Sequence, residues 1–267
     1  MATTTLTPVD HRVEIANGVA TVTLDRPAAY NALTAELLES LNATMKALAR
    51  DAEVRAIVIT GAGKAFCAGQ ALDDPRTLPR DAPSDLASAV ALRYSPFITA
   101  LLTSEKPTVA AVNGVAAGAG FGIACACDFR VVSEAATFTT AFVKIGLVPD
   151  SGLSLTLPAL VGYAKALELC LLSERIDAAQ AETLGLCTRR VAPDALLAQA
   201  QGLAASFAHA PRSAGMIKRL LLQNGLPPVR EALDYEAQMQ GAAGATADFA
   251  EGLDAFRNKR APAFRNA

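Results

Sequence analysis

The sequence predicts an α/β fold that ends in a helical region. Strand-like and helix-like runs alternate between residues 13 and 191, the pattern of a largely parallel sheet with helices packed on it. A strand, a glycine turn and a helix follow one another twice, over residues 56–70 and 108–127. From Asp194 onward the chain reads as helix, broken at Pro211 and at Pro227-Pro228. Residues 1–193 are therefore expected to form the core, and residues 194–267 a helical region for oligomerisation or for closing over it.

The elements follow in order. Val13–Ile15 and Val19–Leu24 flank Asn17-Gly18, the dipeptide of a tight hairpin. Ala20, Val22 and Leu24 alternate with Thr21 and Thr23, as a half-buried strand requires. Thr34 is placed to cap a helix through Ala49, with Leu37, Leu41, Met45 and Leu48 on one face. Ala56–Thr60 is a short buried strand that enters the glycine loop 61–69. Residues 71–85, with Pro75, Pro79 and Pro83, read as a surface loop. Leu86–Thr103 reads as a helix broken near Pro96, and Thr108–Val112 as a second buried strand. Beyond the central stretch come a strand at Phe129–Val132 and an extended segment at Thr137–Phe142. Helices follow at Leu153–Leu160, Ala164–Leu172 and Ala178–Leu184, then a small strand at Cys187–Val191.

Composition excludes several function classes. Of the 267 residues, 52% are hydrophobic and 19% charged, enough apolar material for a large core. A net charge of −2 without a basic run points away from nucleic acid and from membrane surfaces. The five cysteines (Cys67, Cys125, Cys127, Cys170, Cys187) are odd in number and read as reduced thiols of a cytoplasmic protein. With only His11 and His209, a histidine triad or a zinc site is not expected, and no metal is assigned. The opening MATTTLTPVD carries no apolar signal segment. Residues 108–127 are uncharged, but their glycine and alanine content and Asn113 do not suit a bilayer span.

The chemistry is expected at the stretch Val112–Asp128, VNGVAAGAGFGIACACD. A strand that turns through glycine into a helix leaves free N–H groups at the positive end of the helix dipole. The spacing Gly118-Ala-Gly120-Phe-Gly122 is wrong for a dinucleotide fingerprint. Two readings remain: close helix–sheet packing through small residues, or backbone donors aimed at a developing oxyanion. In the second, the donors are the N–H groups of Gln70, just past FCAG, and of Ala119. Each such donor lowers a barrier by roughly 3–4 kcal/mol.

The motifs GAGKAFCAGQALDD, AAVNGVAAGAGFGIACACD and FVKIGLVPDSG, in this order, resemble the crotonase (enoyl-CoA hydratase/isomerase) superfamily. The resemblance runs from DRPAAYNAL to the tail ATADFAEGLDAFRNKRAPAF. Within it, FCAGQ, NGVAAGAG, GLVPDSG and that tail are most similar to isomerases of ring-epoxidised phenylacetyl-CoA. The resemblance implies a spiral of ββα units, an acyl-CoA thioester substrate, and trimers or dimers of trimers. It implies no cofactor, since coenzyme A belongs to the substrate. It places the thioester oxygen on Gln70 and Ala119, and substrate contacts at Ala68, Gln70, Ala71, Leu72, Ala119, Phe142 and Arg26.

Departures from the family pattern carry as much information. The two positions where hydratases of the family hold water with glutamates are Gly122 and Phe142 here, and neither moves a proton. Ala71 stands where aspartate is common. The surviving acid is Asp150, in LVPDSG, at the position that is catalytic in the resembling isomerases and dehalogenases. Apolar neighbours favour its neutral form and raise its pKa. The rival role for Asp150 is the N-cap of the next helix. Lys64, Arg26 and Arg76 could meet the phosphates of coenzyme A or be ordinary surface charges. Phe121, Phe142, Leu147, Leu153 and Tyr94 could line an acyl pocket or fill the core. Phe249, Leu253 and Phe256 form an apolar stripe on the last helix. The reading that follows is an acyl-CoA isomerase, first of all of a ring-epoxidised phenylacetyl-CoA, with a Δ3-Δ2-enoyl-CoA isomerase, an enoyl-CoA hydratase and a non-catalytic CoA-ester or RNA-binding homologue as the alternatives.

Overall fold

In the computed structural model, which describes residues 9–78 and 85–266, the strands form two sheets. The opening decapeptide and the 71–85 loop therefore lie partly outside the described residues, Pro79 and Pro83 included. The hairpin forms as the sequence requires. β1 (His11–Ala16) pairs antiparallel with β2 (Val19–Leu24), and Asn17 and Gly18 both take positive φ. Three further strands add in parallel: β3 (Ala56–Gly61), β5 (Thr108–Val112) and β7 (Phe129–Ser133). With β10 (Arg189–Val191) they make a six-stranded sheet ordered β1-β2-β3-β5-β7-β10.

Each of β3, β5 and β7 passes through a turn into a short strand of a second sheet. These strands are β4 (Ala65–Cys67), β6 (Val115–Ala117) and β8 (Thr137–Thr139), closed by β9 (Ile176–Asp177). A helical segment follows each pair, so the chain repeats a ββα unit and advances one strand in both sheets at each repeat. The first glycine turn therefore leads into strand β4 and not into a helix. The second gives β6 before its helix, α4 (Ala119–Ala126). These strands are two or three residues long, too short to leave a period in the sequence. The extended segment expected at 137–142 stops at Thr139, and Phe142 begins a 3-10 turn, Phe142–Ile145. The last strand is Arg189–Val191, two residues shorter than expected at its start.

Helix α1 (Ala35–Arg50) is capped by Thr34, whose side chain accepts the Leu37 N–H. The run 86–103 is helical throughout. It consists of α2 (Leu86–Ala89), a π-helical turn at Val90–Tyr94 and α3 (Ser95–Thr103). At the expected break near Pro96 the chain stays helical, but the regular α-helical ladder gives way to the π-helical turn just before the proline, which stands at the start of α3. This helix is long and apolar enough to span a bilayer by length and composition, but it is a core helix packed on α1 and α4. Residues 108–127 fold as two strands and a helix.

Three helices complete the core, α5 (Leu153–Val161), α6 (Tyr163–Leu172) and α7 (Ala178–Thr183). Beyond Pro193 come α8 (Leu196–Ala205), α9 (Ser213–Gly225), α10 (Val229–Gly244) and α11 (Ala247–Arg257). Leu196, Ala200 and Ala204 of α8 close one face of the six-stranded sheet over Val19, Ala56, Val58, Val109, Ala111 and Val131. Both faces of β3 and β5 are thus covered, which is why they read as unbroken apolar runs. On the other face α10 lies across α2, α3 and α5.

Candidate active site

Two glycine turns meet at one point. β4 and β6 pair in parallel, which brings the residues after each strand side by side. A Cβ at Gly69 (φ 90°) would sit 2.8 Å from Ala117 O and 3.4 Å from Ala119 N, so only glycine permits this approach. Leu33 bridges Gln70 in parallel: the Leu33 N–H donates to Gly69 O at 2.7 Å, and the Ala71 N–H donates to Leu33 O at 2.9 Å. In a parallel bridge of this kind Gln70 turns its own N–H away from Leu33. Ala119 is the first residue of α4, where no intrahelical acceptor exists for its N–H. Neighbouring amides are engaged: Gly69 N–H with Cys67 Sγ, and Gly118 N–H with Thr139 O. The N–H groups of Gln70 and Ala119 meet no acceptor among the described residues.

Asp150 comes from the next ββα unit, on a turn that packs against α4. It lies between the Phe142–Ile145 turn and α5 and is 3% exposed. Its carboxylate accepts two hydrogen bonds, from Ser151 Oγ to Oδ1 at 2.8 Å and from Gln240 Nε2 to Oδ2 at 2.8 Å. Burial pushes its pKa up to about 6, against the pull of those two donors. Ser151 and Gly152 take positive φ, which turns the chain sharply into α5. This turn rests on α4: a Cβ at Gly122 would sit 2.6 Å from Ser151 O and 2.9 Å from Ser151 Cβ. Gly122 is one turn along α4 from Ala119, so the contact sets Asp150 beside the helix that presents the Ala119 N–H.

Asp150 is not the N-cap of α5. Glu236 on α10 does that work: Oε2 accepts the Gly152 N–H at 2.9 Å, and Oε1 accepts the Ser154 N–H at 3.1 Å and the Ser154 hydroxyl at 2.6 Å. Burial raises the Glu236 pKa to about 7; the Asp150 charge adds to the rise, and the bonds from Ser154 and Gly152 oppose it. The sequence reading missed Glu236 and Gln240. Their signal was present: Leu233, Glu236, Ala237 and Gln240 recur at helical spacing as the buried face of α10. Two polar residues in such a stripe require partners.

The remaining candidates separate cleanly. Phe142 is buried with its ring against the Gly118 turn. Ala71 is buried, and Ala68 and Leu72 are half-buried on either side of Gln70. Tyr94, in the π-helical turn, is buried and faces Asp150 closely enough for the aspartate charge to raise its phenol, after burial itself. Phe121 and Leu153 are core residues, Phe121 packing on Phe138 with ring centroids 5.2 Å apart. Arg26 is committed elsewhere: its guanidinium bonds Asp10 at 3.0 Å and the carbonyl of Ala32. Arg76 pairs with Glu39 at 2.6 Å, and Lys64 is exposed. Phe249 is buried and Leu253 half-buried, whereas Phe256 is exposed. α11 packs on the turn that carries Phe142. The five cysteines are free thiols. Among the described residues no cluster of three or more metal-ligating side chains forms.

The chain belongs to the enoyl-CoA hydratase/isomerase family, whose model matches residues 14–267. It is 38% identical over 251 residues to the 1,2-epoxyphenylacetyl-CoA isomerase of Escherichia coli, covering 94% of this chain and 96% of that protein. It is 40% identical over 256 residues to a "probable enoyl-CoA hydratase" of Rhodobacter capsulatus, covering 95% and 96%. The fold matches an enoyl-CoA hydratase structure from Mycobacterium avium subsp. paratuberculosis with a TM-score of 0.87. There the identity is 33%, and 97% of this chain and 99% of that chain are covered.

Proposed function

We propose that this family member is an acyl-CoA isomerase that moves a proton within its substrate and adds no water. The carrying observation is the buried acid Asp150, on a turn packed against α4, the helix whose first N–H (Ala119), like that of Gln70, meets no acceptor among the described residues. In this reading the thioester carbonyl oxygen accepts the N–H groups of Gln70 and Ala119. These donors favour the enolate over the neutral thioester, because they gain most where negative charge develops. The Asp150 carboxylate takes the proton α to the thioester and returns it to a carbon further along the conjugated system. A pKa near 6 leaves it ionised at neutral pH yet basic enough to be protonated by the activated carbon acid.

Water addition requires a second group to hold and activate water. Gly122 supplies none and has no room for one, since the 150–152 turn occupies the space of its side chain. Phe142 is apolar, and Glu236 is committed to three donors at the start of α5. We assign the substrate as a ring-epoxidised phenylacetyl-CoA, on the similarity to the Escherichia coli isomerase. There the transfer moves the α proton to a ring carbon and leaves a seven-membered oxepin conjugated to the thioester. A Δ3-Δ2-enoyl-CoA isomerisation uses the same groups. Phe142, Ala68, Ala71 and Leu72 are the proposed walls of the acyl site, and Arg26, held by Asp10, serves its loop.

Residues 194–267 are proposed to supply both a lid, through α10 and α11, and an oligomer contact. The exposed Ile217, Leu220 and Leu221 on α9 suit burial in a homotrimer or a dimer of trimers, which light scattering measures directly. The activity is tested by deuterium wash-in with a 3-enoyl-CoA and with an epoxyphenylacetyl-CoA made in situ. Wild type is expected to shift the double bond or open the epoxide ring with solvent exchange, and Asp150→Asn to lose at least about 100-fold. Equal turnover by both proteins, or water addition alone, overturns the proposal.

A further inference from the structure

We infer that Gln240 is a positioning residue for Asp150: it ties one carboxylate oxygen, Oδ2, to α10 and keeps that oxygen an acceptor throughout the proton transfer. The inference rests on the reading of Asp150 as the proton carrier. Gln240 is 2% exposed, and both ends of its amide are engaged. Oε1 accepts the Val148 N–H at 3.2 Å, and Nε2 donates to Asp150 Oδ2 at 2.8 Å. The amide therefore spans the backbone and the side chain of one three-residue segment. It cannot flip, because flipping would strand the Val148 N–H and set the amide oxygen against the carboxylate.

Ser151 holds the other oxygen differently. Its hydroxyl donates to Oδ1 at 2.8 Å, but it can rotate and accept a hydrogen bond from a protonated carboxyl. Gln240 can only donate. A proton arriving on Asp150 is thus accommodated on Oδ1, while Oδ2 stays tied to α10. The other titratable groups facing Asp150 are Glu236, one turn earlier on α10, and Tyr94 on the π-helical turn. Neither carries positive charge. Gln240 and Ser151 are accordingly the groups that favour the carboxylate against burial. They draw the acid back toward a value at which it is ionised in neutral solution.

The test is the pH profile of kcat/KM for a 3-enoyl-CoA, read with Gln240→Met and Gln240→Glu. Methionine keeps the volume and removes the donor, so the acid limb is expected to rise by about one pH unit, the effect of losing one hydrogen bond to a charged group. Glutamate sets a second carboxyl against Oδ2 and is expected to raise the limb further, by about two units. KM is expected to stay within about threefold while kcat falls about tenfold, because the carboxyl loses its orientation for the transfer. A packing role alone would lower the melting temperature and leave the limb in place. Limbs within about 0.3 unit of wild type in both variants, with Asp150→Asn inactive, overturn the Gln240 assignment alone. An Asp150→Asn variant that keeps its rate removes the reading on which it rests.

Discussion

Two buried carboxyls, Asp150 and Glu236, contribute a stability that falls as pH rises, opposite to the usual behaviour of paired surface acids. Asp150 is held at about 6 and Glu236 at about 7, above their ordinary values of 3.8 and 4.5. Both bind their protons more tightly folded than unfolded, so they favour folding most at low pH. That contribution is full below about pH 4, starts to fall as the unfolded chain ionises, and is lost as pH passes the folded values. From pH 5 to pH 8, Glu236 gives up about 3 kcal/mol and Asp150 about 1 kcal/mol. For a domain of this size roughly 4 kcal/mol corresponds to about 10 °C in melting temperature. The perturbation that isolates the effect is Asp150→Asn with Glu236→Gln, which makes both groups permanently neutral. The neutral amide at 150 keeps an acceptor for Gln240 and a donor for Ser151. Thermal melts followed by circular dichroism at pH 5, 6, 7 and 8 are expected to show wild type falling about 10 °C more than the double variant. Parallel curves for the two proteins would refute the linkage, since every other titrating group is common to both.

Further outcomes follow from single positions. Ala119→Pro removes one proposed oxyanion donor at a helix position that proline favours, so the fold is expected to persist while kcat falls by about 100- to 1,000-fold. Unchanged kcat would remove Ala119 from the site. Gly122→Ala places a methyl 2.6 Å from Ser151 O, and overpacking there is expected to cost about 1–3 kcal/mol in urea unfolding and to lower isomerisation by shifting Asp150. Gly122→Glu is expected to lose isomerisation without gaining water addition; hydration by that variant would contradict the geometry. Cys67, Cys125 and Cys127, buried and pushed up to about 12, are expected to resist iodoacetamide at pH 8 in the native protein and to react once unfolded.

How far the sequence could be read depended on how far along the chain each feature reaches. The hairpin at Asn17-Gly18, the Thr34 cap and the buried runs of β3 and β5 are local, and each is legible where it stands. The second sheet was not, because β4, β6 and β9 have two or three residues and exist only through pairing with strands about 20 to 50 residues away. The site divides in the same way. Gln70, Ala119 and Asp150 sit in compact motifs, but Glu236 and Gln240 act on residues 82 to 92 positions earlier. No local pattern says what a polar residue on the buried face of a helix will meet.

Gly122 shows why the departures from the family pattern belong together. Read singly, a glycine at a hydratase glutamate position is a missing group. In the structure the vacated space is filled by Ser151 backbone, so the turn that presents Asp150 closes onto α4 because position 122 has no side chain. A glutamate at 122 and this placement of Asp150 exclude one another sterically. Glu236 makes the same turn possible from the other side by taking the Gly152 and Ser154 amides, which leaves the Asp150 carboxyl free of capping duty. The aspartate can then be held by Gln240 and Ser151 alone, buried enough to carry a proton near neutrality. One absent side chain on α4 and two polar ones on α10 thus set the position and the acidity of a single carboxyl. This packing, as much as the residue itself, is what supports the proposed proton shift within a thioester over the addition of water to it.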